Sequence, residues 1–321
     1  MDNVKSDPAE MVSGKLFRNK VSVVILAIAA SILWGSAFPV LKISFVIMHI
    51  DPGNLAAQLV LAGMRFLLAS LLLFTLILLS NREVLKWQKG LGWKLTVLGV
   101  VQISMQYFFF YYGLNHTSGM KGAILSSSST FFVVLMAHFI YTNDKLNRRK
   151  LLGLLTGLGG IILVNWGKNF SLDFTLVGEG FMLIAGLASA AGNLLGKRMA
   201  KDIDPILLTA GQLLMGSLVL LAAGLPGLKG GDMVFSTSAW LLLIYAAFIS
   251  AIAFFLWYSL LKYNKAGEIV IYSFITPVAG AILSALLLPG ERLSAAMLAG
   301  LVLVALGLVF VNRANSKKLS G

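Results

Sequence analysis

Arg65 stands alone as a charge within an apolar run, residues 55–80. A guanidinium is a planar fork that meets a carboxylate with paired hydrogen bonds. Arg65 therefore reads as an anchor for a substrate carboxylate, or as a structural cation bonded to backbone carbonyls or a helix C-terminus. Lys42 follows Pro39 in the preceding run. It reads as a substrate or gate residue, or as a stem that snorkels to a membrane interface. Gln102 and Gln106 are one helical turn apart, with Tyr107 and Tyr111 close behind. Their amides suit an amino or carboxylate group, and equally suit bonding between helices. The run Ser126 to Thr130 puts hydroxyls on every face of a helix. Ser126, Ser129 and Thr130 are candidates to line a cavity, unless they bond to their own preceding turn.

The second half offers a similar inventory. Ser189 and Asn193 share a helix face, and Tyr245, Trp257 and Tyr258 share one apolar run. Tyr272, Ser273 and Thr276 precede Pro277. Trp34 and Tyr272 lie deep enough in their runs to stack on an apolar side chain, whereas Trp87, Trp93 and Trp240 sit where interface belts form. Gly35 with Ser36, Pro39 and Pro277 are the hinge or gate candidates, since proline removes a helical hydrogen bond and bends the helix.

Other chemistries lack their residues. The chain has no cysteine, which removes disulfides, thiolate metal sites and thiol catalysis. It holds no His-Glu-x-x-His helix, no phosphate-cradling Gly-Lys-Ser/Thr loop and no acid–base pair within an apolar run. No enzyme activity, metal or cofactor is expected, nor direct pumping by ATP. Glu179 and Glu268 sit near the starts of apolar runs, where a helix N-terminus favours a carboxylate. With His49, His116 and His138 also near run ends, facilitated or weakly coupled movement is favoured over a proton relay.

The elements that hold these residues follow from composition. Hydrophobic residues make up 58% of the 321 and charged residues 12%, against roughly 25% in soluble domains. Mean hydropathy is +0.87. A chain this apolar is covered by lipid. Ten runs are long enough to span: 22–48, 55–80, 92–113, 120–141, 150–166, 177–198, 206–225, 238–261, 266–288 and 293–311. They are continuously apolar, unlike the alternating strands of a barrel. The first runs on past Trp34 and reads as a retained span, not a removed signal peptide.

Lys and Arg test that count. Twenty of the 26 fall on one side, in clusters such as Arg82–Lys94, Lys145–Lys150 and Lys197–Lys201. Only Lys121, Lys168, Lys229 and Arg292 fall on the other. The bias places both termini in the cytoplasm and explains the net charge of +13 without nucleic acid.

The stretch from Tyr112 to Asn165 is similar to that from Tyr258 to Asn312. Thr130 aligns with Thr276, Gly153 with Gly300 and Gly160 with Gly307; Asp51-Pro52 matches Asp204-Pro205 more weakly. The period is five helices. An odd number sends the second copy in from the opposite side, the plan of an inverted-repeat transporter. Spans five and ten carry Gly153, Gly157, Gly160, Gly300 and Gly307, which suit tight packing in the fold or self-association into a homodimer.

Trp34-Gly35-Ser36-Ala37-Phe38-Pro39, Arg65-Phe66-Leu67-Leu68-Ala69, Gly178-Glu179-Gly180, Thr276-Pro277 and Pro289-Gly290-Glu291-Arg292-Leu293 resemble motifs of EamA-type members of the drug/metabolite transporter superfamily. The first copy departs from the last pattern, with Phe131 for the proline and Asp144 near the acidic position. The resemblance implies ten helices, a central cavity lined mainly by spans 1, 3, 4, 6, 8 and 9, and export of amino acids or related metabolites. It leaves sugars, nucleosides, vitamins and drugs open as cargo.

The expectation is an all-α membrane protein of ten transmembrane helices, as two five-helix inverted repeats around a central cavity. A cytoplasmic tail (1–21) leads into the first repeat (22–166); the second repeat (177–312) is followed by another tail (313–321). The chain crosses the cell membrane many times and exports a small metabolite by alternating access. A non-transporting membrane protein is the rival reading.

Overall fold

A computed structural model describes residues 14–80, 82–85, 89–117, 119–164, 173–289 and 292–312. Trp87, Asn165, Lys168, Gly290, Glu291, residues 1–13 of the first tail and the whole of the second tail lie outside them.

Ten long helical rods make up most of the described residues. They are α1 (Lys20–Ile47), α2 (Leu55–Ser80), α3 (Leu91–Asn115), α4 (Lys121–Ile140) and α5 (Arg148–Val164). Then come α6 (Leu176–Met199), α7 (Pro205–Gly227), α8 (Thr237–Tyr263), α9 (Ala266–Leu287) and α10 (Ala295–Asn312). Eight of these are long and apolar enough to cross a membrane. The exceptions are α5, whose first turn is Arg148-Arg149-Lys150, and the shorter α10. Large apolar side chains such as Val21, Val46, Leu79 and Phe139 are exposed around the outside, as a lipid-facing surface requires. The chain is a multi-pass membrane protein.

Local signals start the helices. Asn19 caps α1 by accepting from the backbone N–H of Val21 and Ser22 at 3.0 and 3.2 Å. The helix therefore begins at Lys20, inside the stretch expected as a tail. Asp204 caps α7 with Pro205 in its first turn. Its sequence counterpart Asp51 instead turns the preceding loop, and Asn54 caps α2. The weak Asp-Pro match thus does different work in the two copies.

Four rods are irregular where the sequence reading had them continuous. A π turn spans Val100–Met105 in α3, and another, Leu176–Gly180, opens α6. Ser127 interrupts α4. In α9 the segment Val270–Phe274 is a 3-10 turn. Pro277 lies just beyond and has no N–H to offer the Ser273 carbonyl. Non-helical backbone at membrane depth survives where protein or a wet cavity covers it.

Packing is tight and uses small residues. Ser70 and Ser104 donate across to the carbonyls of Ala210 (2.8 Å) and Gly216 (3.0 Å) in α7. A Cβ at Gly160 would come within 2.7 Å of the Gly300 carbonyl oxygen, and one at Gly153 within 3.3 Å of that of Gly307. These glycines bring α5 against α10 within one chain, so their first duty is to the fold.

Contacts between loops define two faces. On one, Gln58 pairs with Asn115, Val234 N–H donates to the Met48 carbonyl at 2.9 Å, and Glu179 meets Lys121 at 3.0 Å. Here Asp232 is held below the usual carboxylate range by the Lys229 backbone N–H and the Asn54 side chain. On the other, Asn264 donates to the Phe17 carbonyl (2.9 Å) and Asp144 accepts from Gly267 N–H (2.9 Å). These are called the loop-51 face and the Asn264 face below.

Candidate functional site

A cavity of about 440 Å³ opens among α1, α2, α3, α4, α6, α8 and α9. Pro52 and Asn115 line it at the loop-51 face; Val133, Asn193 and Val270 line it deep in α4, α6 and α9. That size holds a small organic solute.

Twelve substrate candidates named from the sequence meet at its wall: Trp34, Lys42, Arg65, Gln102, Gln106, Tyr107, Ser126, Ser129, Thr130, Asn193, Ser273 and Thr276. Pro277, one of the hinge candidates, joins them. Gln102 lies within the π turn of α3, and Ser126 and Ser129 flank the Ser127 break in α4. Gln102 donates to Gln106 at 2.6 Å, and Thr130 and Ser273 bond each other at 2.7 Å across α4 and α9. Asn193 accepts from the Trp257 indole at 2.6 Å and donates to the Ser189 carbonyl at 2.8 Å.

Three candidates lie off the cavity. The Tyr258 hydroxyl donates to Gln212 at 2.9 Å and its ring packs on Gly196, so it braces α6, α7 and α8. Tyr272 is 2% exposed, and its carbonyl accepts from Ser31 at 3.0 Å, locking α9 to α1. Ser36 returns its hydroxyl to the Leu33 carbonyl at 2.8 Å. The hinge candidates Gly35 and Pro39 also stand behind the wall. A Cβ on Gly35 would lie 2.9 Å from the Thr276 carbonyl oxygen, so this glycine fixes how closely α1 and α9 approach. Pro39 lies buried within an uninterrupted α1.

Arg65 is 4% exposed and its Nε has no hydrogen-bond partner. Its guanidinium lies over the rings of Phe66 (4.3 Å) and Tyr107 (5.4 Å). Such contacts contribute about 0.5–2 kcal/mol each. No carboxylate pairs with it among the described residues, so the stacking holds the fork in place without satisfying it. Trp34 meets Phe254 at 5.2 Å and Trp257 at 5.0 Å, extending an aromatic wall along α1 and α8.

Sequence reasoning missed Gln58, Asn115 and Ser250, which also line the cavity. Gln58 and Asn115 are polar residues near helix ends, an ordinary position whose mutual pairing only the fold reveals. Glu179 is not part of the wall. It accepts from Thr117 at 2.7 Å and from both the N–H and hydroxyl of Thr175, tying the start of α6 to the end of α3.

Below the cavity the Asn264 face is closed. Lys150 pairs with Asp144, and both are buried. Lys197 donates to the Leu261 carbonyl at 2.8 Å and to that of Asn264. The Tyr141 hydroxyl reaches the Leu194 carbonyl at 3.4 Å. The positive-side clusters are thus partly folded into this closure.

A cavity with polar groups set in a mainly apolar wall, inside a multi-pass helical bundle and closed off by contacts at the Asn264 face, suits a membrane carrier of small solutes. The chain belongs to the EamA-like transporter family, whose model matches residues 21–166 and again 176–313. It is a transporter and not an enzyme. An uncharacterized transporter of Archaeoglobus fulgidus is 26% identical over 80% of this chain and 86% of its own length. A probable amino-acid metabolite efflux pump of Salmonella typhimurium is 26% identical over 88% of this chain and 92% of its own. A solved crystal structure shares the fold with a TM-score of 0.77 at 16% identity, covering 94% of this chain and all of that one.

Proposed function

We propose that this protein exports amino acids or related small metabolites across the cell membrane by alternating access. The observation that carries this reading is the cavity, to which both halves of the chain bring polar side chains. The substrate candidates at its wall are the proposed binding residues. The name of the Salmonella typhimurium relative supports amino-acid metabolites as cargo.

Ten spans in two inverted repeats, 22–166 and 177–312, are part of the proposal. Packing supports it, because helices pair as a two-fold exchange of the halves requires. The packing of α1 on α9 is matched by α6 on α4, and that of α8 on α1 by α3 on α6. The pairs α2–α7 and α5–α10 map onto themselves. The glycines repeat the exchange: Gly153 meets Gly307, and Gly160 meets Gly300. The basic-residue bias supports termini in the cytoplasm, with the cavity open to the outside.

The test is counterflow in proteoliposomes loaded with unlabelled solute, using a panel of labelled amino acids, sugars and nucleosides. Saturable, trans-stimulated uptake of amino acids is expected. Saturable uptake confined to sugars or nucleosides would overturn the cargo. Uptake that never saturates would overturn the carrier.

A further inference from the structure

α4 and α9 are irregular at the same place. Thr130 aligns with Thr276, so Ser127 aligns with Ser273, three residues earlier in each copy. Ser127 is where α4 breaks. The backbone there bonds in the tighter i to i+3 pattern: Ser127 N–H donates to the Ile124 carbonyl and Thr130 N–H to that of Ser127, both at 3.1 Å. Ser273 lies in the 3-10 turn of α9. Each irregular turn thus brings one Ser and one Thr to the cavity wall, and the two helices pack on each other.

α4 runs from the loop-51 face to the Asn264 face and α9 runs back, so the four hydroxyls fall into two cross-pairs. The pair nearer the Asn264 face is made: Thr130 meets Ser273 at 2.7 Å. Ser273 gives its own hydrogen to the Val270 carbonyl at 2.6 Å, so Thr130 is the donor. A two-fold exchange of the halves turns this pair into Thr276 with Ser127, nearer the loop-51 face. That second pair is unmade. The Thr276 hydroxyl is buried without a partner, and Ser127 reaches only the Ala123 carbonyl of its own helix among the described residues, at 3.3 Å. The Ser128 hydroxyl also lacks a partner, but it packs on Gly186 of α6 and its counterpart is Phe274. A buried hydroxyl with no partner needs a reason. Here the bond is made on the closed side and unmade on the side where the cavity reaches Pro52 and Asn115.

We infer that these four residues form a hydroxyl switch: opening the Asn264 face breaks Thr130–Ser273 and makes Thr276–Ser127, so each conformation is held by one bond of the two. This rests on the proposed inverted repeats and alternating access. The four are positioning residues that set which face is open. Trading one bond for its equivalent keeps the two conformations close in free energy, as a carrier that cycles between them requires. Thr276 stands without a partner because its bond belongs to the other conformation.

Spin labels on cysteines introduced at Lys201, just past α6, and Lys262, in the last turn of α8, report the Asn264 face, and the chain has no other cysteine to label. Double electron–electron resonance on the full chain in lipid nanodiscs should show a short distance for the closed face and a longer one for the open face. Thr130→Val and Ser273→Ala should each raise the ratio of long to short about fivefold, the effect of one hydrogen bond. Thr276→Val and Ser127→Ala should each lower it by about as much. Thr130→Ser and Thr276→Ser keep the hydroxyl and should stay near the unaltered protein. Each bond has two variants that remove it, so the sign stays measurable if one fails to fold. Shifts of the same sign from both pairs, or no shift in a protein that shows both distances, would overturn the switch and leave alternating access standing. The short distance alone, in the unaltered protein and in every variant, would count against alternating access and overturn the switch with it.

Discussion

Asp144→Ala should lower the stability of the folded protein by about 3–5 kcal/mol, because it leaves the ammonium of Lys150 buried without a counter-charge. Both residues are almost wholly buried, at 1% and 2% exposure. Among the described residues, Lys150 then keeps only the Lys145 carbonyl, at 3.0 Å. The change also strips an acceptor from the Gly267 N–H, an unmet bond that costs about 1–3 kcal/mol. The double variant Asp144→Leu with Lys150→Met removes both charges, so it should recover most of the loss but not the part due to Gly267. Thermal unfolding in detergent, followed by circular dichroism, measures both. A single variant as stable as the double would show that Lys150 finds solvent and that the pair seals nothing.

Arg65→Met should do the opposite: transport falls by at least about a hundredfold while stability holds or rises. Replacing a buried, incompletely satisfied ion by an apolar side chain of similar volume is often neutral or favourable by about 1–4 kcal/mol. The stacked rings of Phe66 and Tyr107 can pack on a thioether as they do on the guanidinium. A cation kept at such a disadvantage serves what binds it, a trade of stability for function. The sequence left two readings of Arg65, and this experiment separates them. A structural Arg65 predicts a lower melting temperature, with transport lost only as the fold is lost.

How much was legible depended on what each residue's neighbours had to be. The helices and their order were readable because hydropathy is a property of the segment itself. Their bounds moved by a few residues, as at Lys20, where Asn19 supplies the cap. The polar residues deep in apolar runs, Arg65, Gln102, Gln106 and Thr130, were also readable, since lipid cannot satisfy them. Which way each one faces was harder. These helices are apolar on every side, so periodicity carries little direction, and Tyr258 and Tyr272 look like cavity residues until their buried partners are seen. The closure of the Asn264 face was hidden for another reason. Asp144, Lys150 and Lys197 sit in basic clusters that read as solvated loops, and only the fold buries them against α8 and α9. The pairing of Gln58 with Asn115 needs two helix ends to meet, which no local pattern encodes.

The central claim is that the cavity opens to each side of the membrane in turn, and the absence of native cysteine makes it directly measurable. A single cysteine at Ser126, on the cavity wall, would be labelled by a membrane-impermeant thiol reagent added to one side or the other of vesicles of uniform orientation. Alternating access predicts labelling from both sides. A transported solute should shift the balance between them as it breaks the Asn264-face contacts. Labelling from the loop-51 side alone, unchanged by any solute the protein binds, would contradict the account and leave a membrane protein with a pocket but no passage.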